Sequence, residues 1–154
     1  MFFKDKYFFL SNFYPCTISC IINNKELKFS TVEAAFQAHK NVELADKFVL
    51  LTAYEAKSYG KRIPLTTENW DINRLYVMGQ LLHIKFCDLN LLKQLKEITS
   101  DIYEDNYWGD TFWGRCKGKG KNMLGRLLMN IRDNNNDLNN LLTFITETLI
   151  YDIN

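Results

Sequence analysis

The first thirty residues combine short apolar runs with turn-forming residues, a pattern typical of β-structure. Residues 7–10 form an apolar run that stops at Ser11-Asn12, and this run predicts a short strand. Residues 16–22 and 25–29 flank Asn23-Asn24, and an asparagine pair between two such runs indicates a tight hairpin turn. The N-terminal part of the chain is therefore predicted to hold a strand and a β-hairpin.

From about residue 30 onward, apolar positions recur at intervals of three and four residues, which predicts helices. Ser30-Thr31-Val32-Glu33 has the Ser-x-x-Glu form of a capping box, and Gly60 suits the C-terminal end of a second helix. The predicted helices cover about residues 31–40, 43–59, 70–87 and 89–97, then a segment from Asn122 to Ile131 and one from Asp137 to Leu149.

Residues 99–121 show no helical period and are rich in Trp, Gly and charged residues; loops of this kind often carry function. The pattern as a whole predicts a mainly α fold of the α+β class, a compact multihelical domain with a small N-terminal β-hairpin or sheet portion. No repeat or linker interrupts the sequence, so residues 1–154 are expected to form one domain.

Composition excludes several classes of function. The chain has 154 residues, with 19 Lys and Arg against 18 Asp and Glu, a net charge of +1. This balance argues against binding driven by a broad basic field. Hydrophobic residues make up 47% of the chain, yet no stretch approaches the roughly 20 apolar residues of a membrane helix. Charges in the first five residues fall where a secretory signal would be apolar, so we expect a cytoplasmic protein.

Cysteine and histidine are too few and too scattered to indicate a metal site. There is no Cys-x-x-Cys pair, and the only histidines are His39 and His83, which argues against structural zinc. We therefore expect no metal and no cofactor. We also expect reduced thiols at Cys16, Cys20, Cys87 and Cys116.

Residues 10–15, Leu-Ser-Asn-Phe-Tyr-Pro, form the first segment that does not resemble a core element. A turn explains it, because Asn and Ser bond their own backbone and Pro fixes φ. A pocket wall explains it as well, with Asn12 offering amide hydrogen bonds and Phe13 or Tyr14 a stacking face. The sequence leaves both interpretations open.

A polar stripe on the first predicted helix is the second such segment. Glu33, Gln37 and Lys40 lie four and three residues apart and so share one helix face. The stripe is either the solvated side of the helix or the lining of a cavity. Spacing alone favours structural roles, with Glu33 as the acid of the capping box and Lys40 as a cation near the helix C-terminus.

The third segment, residues 104–114, contains two tryptophans, two glycines and three acids. Flat aromatic faces beside carboxylates suit a nucleobase or a sugar–base ligand. A Gly-Asp turn with the tryptophans packed in the core explains the same residues.

Residues 115–122 follow with four cations and two glycines just before the helix predicted to start at Asn122. Backbone N–H groups, a helix dipole and mobile cations together would suit an anion. The segment is not a Walker A loop, because no glycine lies five residues before Gly120 and Asn122 replaces Ser or Thr. An ordinary solvated basic loop is the alternative.

Taken in order, these segments resemble the NADAR (YbiA-like) family of N-glycosidases, and the similarity spans about residues 8–132. Any one piece is weak, whereas the ordered set is specific. The matching pieces are residues 11–15 and 31–38, Ala56-Lys57 with Gly60, Trp70, Val77-Met78, Lys85-Phe86, Glu104, residues 110–114 and 120–125, Leu128-Met129 and Ile131-Arg132.

The resemblance implies cleavage of a C–N bond between a ribose and a base-like amine, without a metal. Family members are associated with phosphorylated ribosylamino-pyrimidine intermediates of riboflavin synthesis and with release of ADP-ribose from modified guanine. The expected partner is thus a ribosyl-phosphate or ADP-ribose substrate, free or linked to a base, with ADP-ribosylated nucleic acid as an open alternative. A nucleotide-binding module without catalysis would use the same features.

Matched residue by residue, the resemblance implies that Glu33 and Asp110 are catalytic carboxylates. It also implies that Lys40 contacts the substrate or captures the ring-opened sugar as a Schiff base, with Lys57 as the alternative lysine. The implied substrate contacts are Ser11, Asn12, Phe13, Gln37, Lys57, Trp70, Trp108, Trp113, Gly114, Lys119, Gly120, Lys121 and Asn122.

Overall fold

The computed structural model describes residues 1–153, so the last position of the predicted domain lies outside the described residues. The strands are β1 (Ile18–Ile22), β2 (Lys25–Phe29), β3 (Asp105–Asn106) and β4 (Arg115–Cys116). The α-helices are α1 (Val32–Ala38), α2 (Ala53–Arg62), α3 (Trp70–Lys85), α4 (Leu89–Lys96), α5 (Met123–Asp133) and α6 (Leu138–Thr148). Two 3₁₀ helices cover Asp5–Leu10 and Val42–Phe48, and a π-helical segment covers Leu149–Ile153.

The predicted hairpin is present. Strands β1 and β2 pair antiparallel, with Ile18 opposite Phe29 and Ile22 opposite Lys25. Asn23 and Asn24 have φ angles of 53° and 63°, the left-handed pair that a two-residue hairpin turn requires. The mainly helical fold with a small sheet portion is confirmed.

Two predicted elements are wrong. Residues 7–10 belong to the 3₁₀ helix Asp5–Leu10 rather than to a strand, because a four-residue apolar run has no period that separates the two. The helix predicted over 43–59 divides into Val42–Phe48 and α2, since Thr52 and Glu55 form a capping box that starts a new helix.

Gly60 does not end the second helix but lies inside α2, where it lets α1 approach. A Cβ at Gly60 would collide with the side-chain oxygen of Gln37. This glycine therefore allows the close packing of α1 against α2, which positions the polar face of α1.

Helix α3 lies at the centre of the hydrophobic core and packs against α1, α5, α6 and β1. Its inward side chains, among them Leu75, Met78 and Leu82, are fully buried. None of the helices within residues 1–153 combines the length and apolar character that crossing a membrane demands.

The aromatic, acid-rich segment is held against the helices by its two ends. Strands β3 and β4 pair in parallel, with Asp105 opposite Arg115 and Asn106 opposite Cys116. The buried Asn122 side chain accepts a bond from the Glu104 amide at 2.9 Å and donates to the Ile102 carbonyl at 2.8 Å. Asn122 therefore fixes this segment. Its side chain makes no capping hydrogen bond to α5, the helix that the sequence predicts to begin at this residue.

Candidate active site

A cavity of about 640 Å³ opens between α1, the turn at residues 11–13, α2 and the segment 104–113. It brings together residues that lie far apart in the sequence, including the carboxylates of Glu33 and Asp110. The sequence-predicted residues that line it are Ser11, Asn12, Phe13, Glu33, Gln37, Lys40, Lys57, Trp108, Asp110 and Trp113.

Glu33 lies on the cavity side of α1 and is only 8% exposed. The capping-box role predicted for it is wrong, because Thr31 caps the helix by accepting from the Ala34 amide at 3.0 Å. That cap places Glu33 one position too early to complete the box. Its carboxylate instead accepts a 2.8 Å hydrogen bond from the Gln37 side-chain amide inside the cavity.

Opposing effects act on the protonation of Glu33. Burial raises the pKa of the Glu33 carboxyl, while the Gln37 hydrogen bond and the cations of Lys57 and Lys40 act in the opposite direction. The negative charge of Asp110 adds to the rise. Removing a carboxylate from water disfavours its charged form, and this burial is the largest cause of the rise at Glu33.

The turn at Ser11–Phe13 is both a backbone turn and a cavity wall, so the two interpretations of this segment combine. The Phe13 amide donates to the Ser11 hydroxyl at 3.0 Å, and the Glu33 amide donates to the Asn12 carbonyl at 3.0 Å. Within residues 1–153, the side-chain oxygens of Asn12 and Gln37 are buried without a hydrogen-bond partner. The Gln37 oxygen faces Gly60 of α2, whereas the orphaned Asn12 oxygen belongs to a residue of the cavity wall and suits a donor from a ligand or water.

Asp110 is fixed by a turn that leaves part of its carboxylate free of these bonds. Its Oδ1 accepts from the amides of Phe112 at 3.0 Å and Trp113 at 2.8 Å. The Asn106 side chain also clamps its backbone, accepting from the Asp110 amide and donating to the Asp110 carbonyl. Asp110 therefore both forms the predicted Gly-Asp turn and lines the cavity.

Glu104 is a third carboxyl of the cavity, and the sequence interpretation did not assign it to the site. Burial first, and then the negative charges of Asp110 and Asp105, raise the pKa of Glu104 to about 7, while a hydrogen bond from Asn106 opposes the rise. Its presence among the family-like motifs was the one sequence signal that could have found it. Its cavity position depends on packing between distant segments.

Gly114 does not line the cavity; it makes room for Glu104. A Cβ at Gly114 would collide with the Glu104 carboxylate and backbone. The substrate contact predicted at Gly114 is therefore corrected to an indirect role, in which the missing side chain lets the carboxyl of Glu104 lie against the loop.

Two lysines face the carboxylates. Burial lowers the pKa of Lys40, which Glu33 partly restores, and the cations of Lys57 and Lys61 lower it further. The Lys57 amine lies 5.8 Å from the Phe13 ring centroid and 5.7 Å from that of Trp108. Lys57 is thus held between two rings by cation–π attraction.

Aromatic rings form the walls and the mouth of the cavity. Trp113 packs edge-on against Phe36 at 5.7 Å between ring centroids, whereas Trp108 at the mouth is 63% exposed. Trp70 does not line the cavity. It lies behind Phe36, 5.3 Å away, as a core residue, so its predicted substrate contact is corrected to support of the wall.

The basic segment before α5 is not part of the cavity wall, so the substrate contacts predicted there are not brought to the site. Successive N–H groups of residues 121–124 donate to the carbonyls of residues 111–114 at distances between 2.8 and 3.3 Å. These donors are therefore engaged by the chain, not available to an anion. The predicted substrate contacts that do not line the cavity are Lys119, Gly120, Lys121 and Asn122. Asn122 is buried and the other three are exposed.

In the part of the chain that the structure describes, no three His, Cys, Asp or Glu side chains are grouped to hold a metal ion. The chemistry that the cavity itself offers is that of carboxyls, amines and aromatic faces. These groups suit charge stabilisation, proton transfer and amine addition at a sugar carbon.

Comparison with known proteins gives the same assignment as the motifs. The NADAR domain matches residues 1–134. The chain is also similar to the NMR structure of the E. coli protein YbiA, with 29% identity, a TM-score of 0.71, and coverage of 84% of this chain and 79% of that one. No curated protein matches the chain. Because the domain match covers most of the sequence, the chain belongs to the NADAR family.

Proposed function

We propose that this protein is an N-glycosidase that hydrolyses the C–N bond between a ribose and a base-like amine. The observation that carries the proposal is the convergence of Glu33, Asp110 and Glu104 with Lys40 in one aromatic-walled cavity. The substrate classes are a phosphorylated ribosylamine of the riboflavin pathway or an ADP-ribosylated guanine. Chromatographic detection of a free base or amine released from candidate substrates tests the activity itself.

The carboxylates act on the charge that develops during bond cleavage. As the ribosyl C–N bond breaks, positive charge grows on C1 and the ring oxygen, and an ionised carboxylate near C1 stabilises it. Asp110 and Glu33 fill this role, and the nearby cations of Lys57 and Lys40 favour the ionised form of Glu33 against the effect of burial. Such stabilisation needs fixed groups, and both carboxylates are held by hydrogen bonds.

Glu104 supplies the proton that the departing nitrogen takes up. A general acid works best when its pKa lies near the working pH, and the pKa of Glu104 is about 7. Acid–base help of this kind contributes roughly 10²–10⁴ in rate.

The Glu104→Gln variant is expected to lose turnover about a hundredfold, because glutamine cannot donate a proton. Activity of the wild type is expected to fall as pH rises through about 7, where Glu104 loses its proton. The variant should lack this alkaline limb. The pH profile of turnover, with the exposed Glu97→Gln as matched control, is the measurement.

Stability gives an independent check on Glu104. The pKa is raised from 4.5 to about 7 in the folded protein, so between these pH values the folded state binds more protons than the unfolded state. The free energy of unfolding therefore falls as pH rises across this window. Glu104→Gln should remove the share of this fall that Glu104 contributes and leave the share of Glu33, whose pKa is raised as well. An unchanged pH dependence of both activity and stability would contradict the assignment.

Lys40 is the lysine that we expect to add to C1. Its lowered pKa leaves more of the amine neutral and nucleophilic. The amine bonds to C1 as the bond from C1 to the base breaks, and the base leaves with the proton of Glu104. The bond from C1 to the ring oxygen then breaks to give the C=N bond, and the ring oxygen takes up the proton that the amine nitrogen releases. Water then hydrolyses the Schiff base and frees both sugar and lysine.

Borohydride added during turnover is expected to reduce this Schiff base and leave a sugar adduct on Lys40, detected by peptide mass. The exposed Lys119 and Lys121 serve as internal controls and should stay unmodified. An adduct on Lys57 would transfer the role to that lysine. Absence of any adduct, with turnover intact, would contradict the covalent route.

A further inference from the structure

Lys85 is a buried cation that the proposed chemistry does not use. It ends α3 and is 2% exposed. Its amine lies 5.4 Å from the Tyr14 ring centroid and 5.5 Å from that of Phe86. In the described part of the chain no carboxylate lies within 4.0 Å of it. Burial lowers the pKa of Lys85 to about 8, as expected for a cation removed from water.

The hydrogen bond of Lys85 leads directly to the cavity wall. Its amine donates to the Ser11 carbonyl at 2.9 Å, and the same carbonyl accepts from the Tyr14 amide at 3.1 Å. The next carbonyl along, that of Asn12, accepts from the Glu33 amide. Lys85 is therefore linked through two adjacent peptide groups to the first turn of α1.

Stability alone does not account for a lysine at this position. A buried cation without a carboxylate partner is costly, and an apolar side chain of similar volume is often neutral or stabilising in its place. A charged donor, however, forms a stronger hydrogen bond to a carbonyl than a neutral one does. The buried Lys85 amine therefore lowers stability but forms a strong hydrogen bond to the Ser11 carbonyl.

We propose that Lys85 is a positioning residue, whose buried amine fixes the turn at Ser11–Phe13 and thereby the orientation of Asn12 and Glu33 in the cavity. Its effect on turnover rests on the proposed function. Its effect on the order of the turn does not, and the two are measured separately.

The test compares Lys85→Met with Lys93→Met, an exposed lysine of α4. In Lys85→Met, backbone amide hydrogen exchange at Tyr14 and Glu33 is expected to quicken about tenfold or more. Exchange at Ala56, whose amide bonds Thr52 in α2, should not change. The melting temperature should be equal or higher, and kcat on a substrate that the wild type cleaves should fall at least about tenfold.

Each outcome decides the proposal. Unchanged exchange at Tyr14 and Glu33 would overturn it, and so would a lower melting temperature with normal kcat, which would assign Lys85 to stability. If the methionine variant does not fold, Lys85→Gln is measured in the same way. Loosened exchange in a protein that cleaves none of the substrates tried would support the role of Lys85 and count against the glycosidase.

Discussion

Replacing Glu33 by glutamine will lower turnover at least about a hundredfold while the protein remains folded. The variant removes the carboxylate charge that we place near C1 but keeps an oxygen able to accept from Gln37. Because burial raises the pKa of Glu33, loss of this carboxyl should leave the free energy of unfolding at neutral pH equal or higher. Steady-state kinetics and thermal unfolding measure the two effects.

Glu55→Gln is the matched control for this experiment. Glu55 is the true capping-box acid, its carboxylate accepting from the Thr52 amide at 3.3 Å at the start of α2. The control should keep nearly full turnover, since glutamine also completes a capping box. Near-normal turnover in Glu33→Gln would remove Glu33 from the mechanism.

Asp110→Asn is expected to reduce turnover about a hundredfold or more and to leave the local turn in place. Asparagine keeps the side-chain oxygen that accepts from the amides of Phe112 and Trp113, whereas the negative charge is lost. Asp110→Ala should lose both the charge and the turn, and so melt at a lower temperature. Kinetics and melting temperature of the two variants separate chemistry from structure.

The exposed Asp101→Asn serves as the charge-matched control for Asp110. It changes the net charge by the same amount in a residue that precedes the segment 104–113, so it should leave turnover unchanged. A fully active Asp110→Asn protein would defeat the assignment of Asp110, even if the alanine variant were inactive.

The parts of the fold that follow from local chemistry could be predicted from the sequence. Asn23-Asn24 specifies its hairpin because asparagine accepts left-handed φ angles, and α3 follows from a long apolar period. Short apolar runs such as residues 7–10 carry no such information, and the burial of their neighbours decides their structure.

The candidate site was predictable as a set of residues and less so as a set of roles. A one-residue shift of the helix cap from Ser30 to Thr31 moves Glu33 out of the capping box. The position of the Glu104 carboxyl depends on a hydrogen bond from Asn106 and on the space left by Gly114. The sequence does not indicate either contact. The anion site predicted before α5 is not formed, because the N–H groups of residues 121–124 donate to the carbonyls of residues 111–114. No local sequence pattern shows this pairing.

The central claim is that this cavity breaks a ribosyl C–N bond, and a chromatographic hydrolysis panel tests it most directly. The panel contains a ribosylamino-pyrimidine phosphate, ADP-ribosyl-guanosine, ADP-ribosylated DNA, NAD and ADP-ribose, each incubated with wild type and with Glu33→Gln. We expect the wild type to release a free base or amine from at least one of them, and Glu33→Gln to release almost none. Tight binding of a panel compound by calorimetry, with no base released from any, would instead identify a nucleotide-binding module and contradict the account.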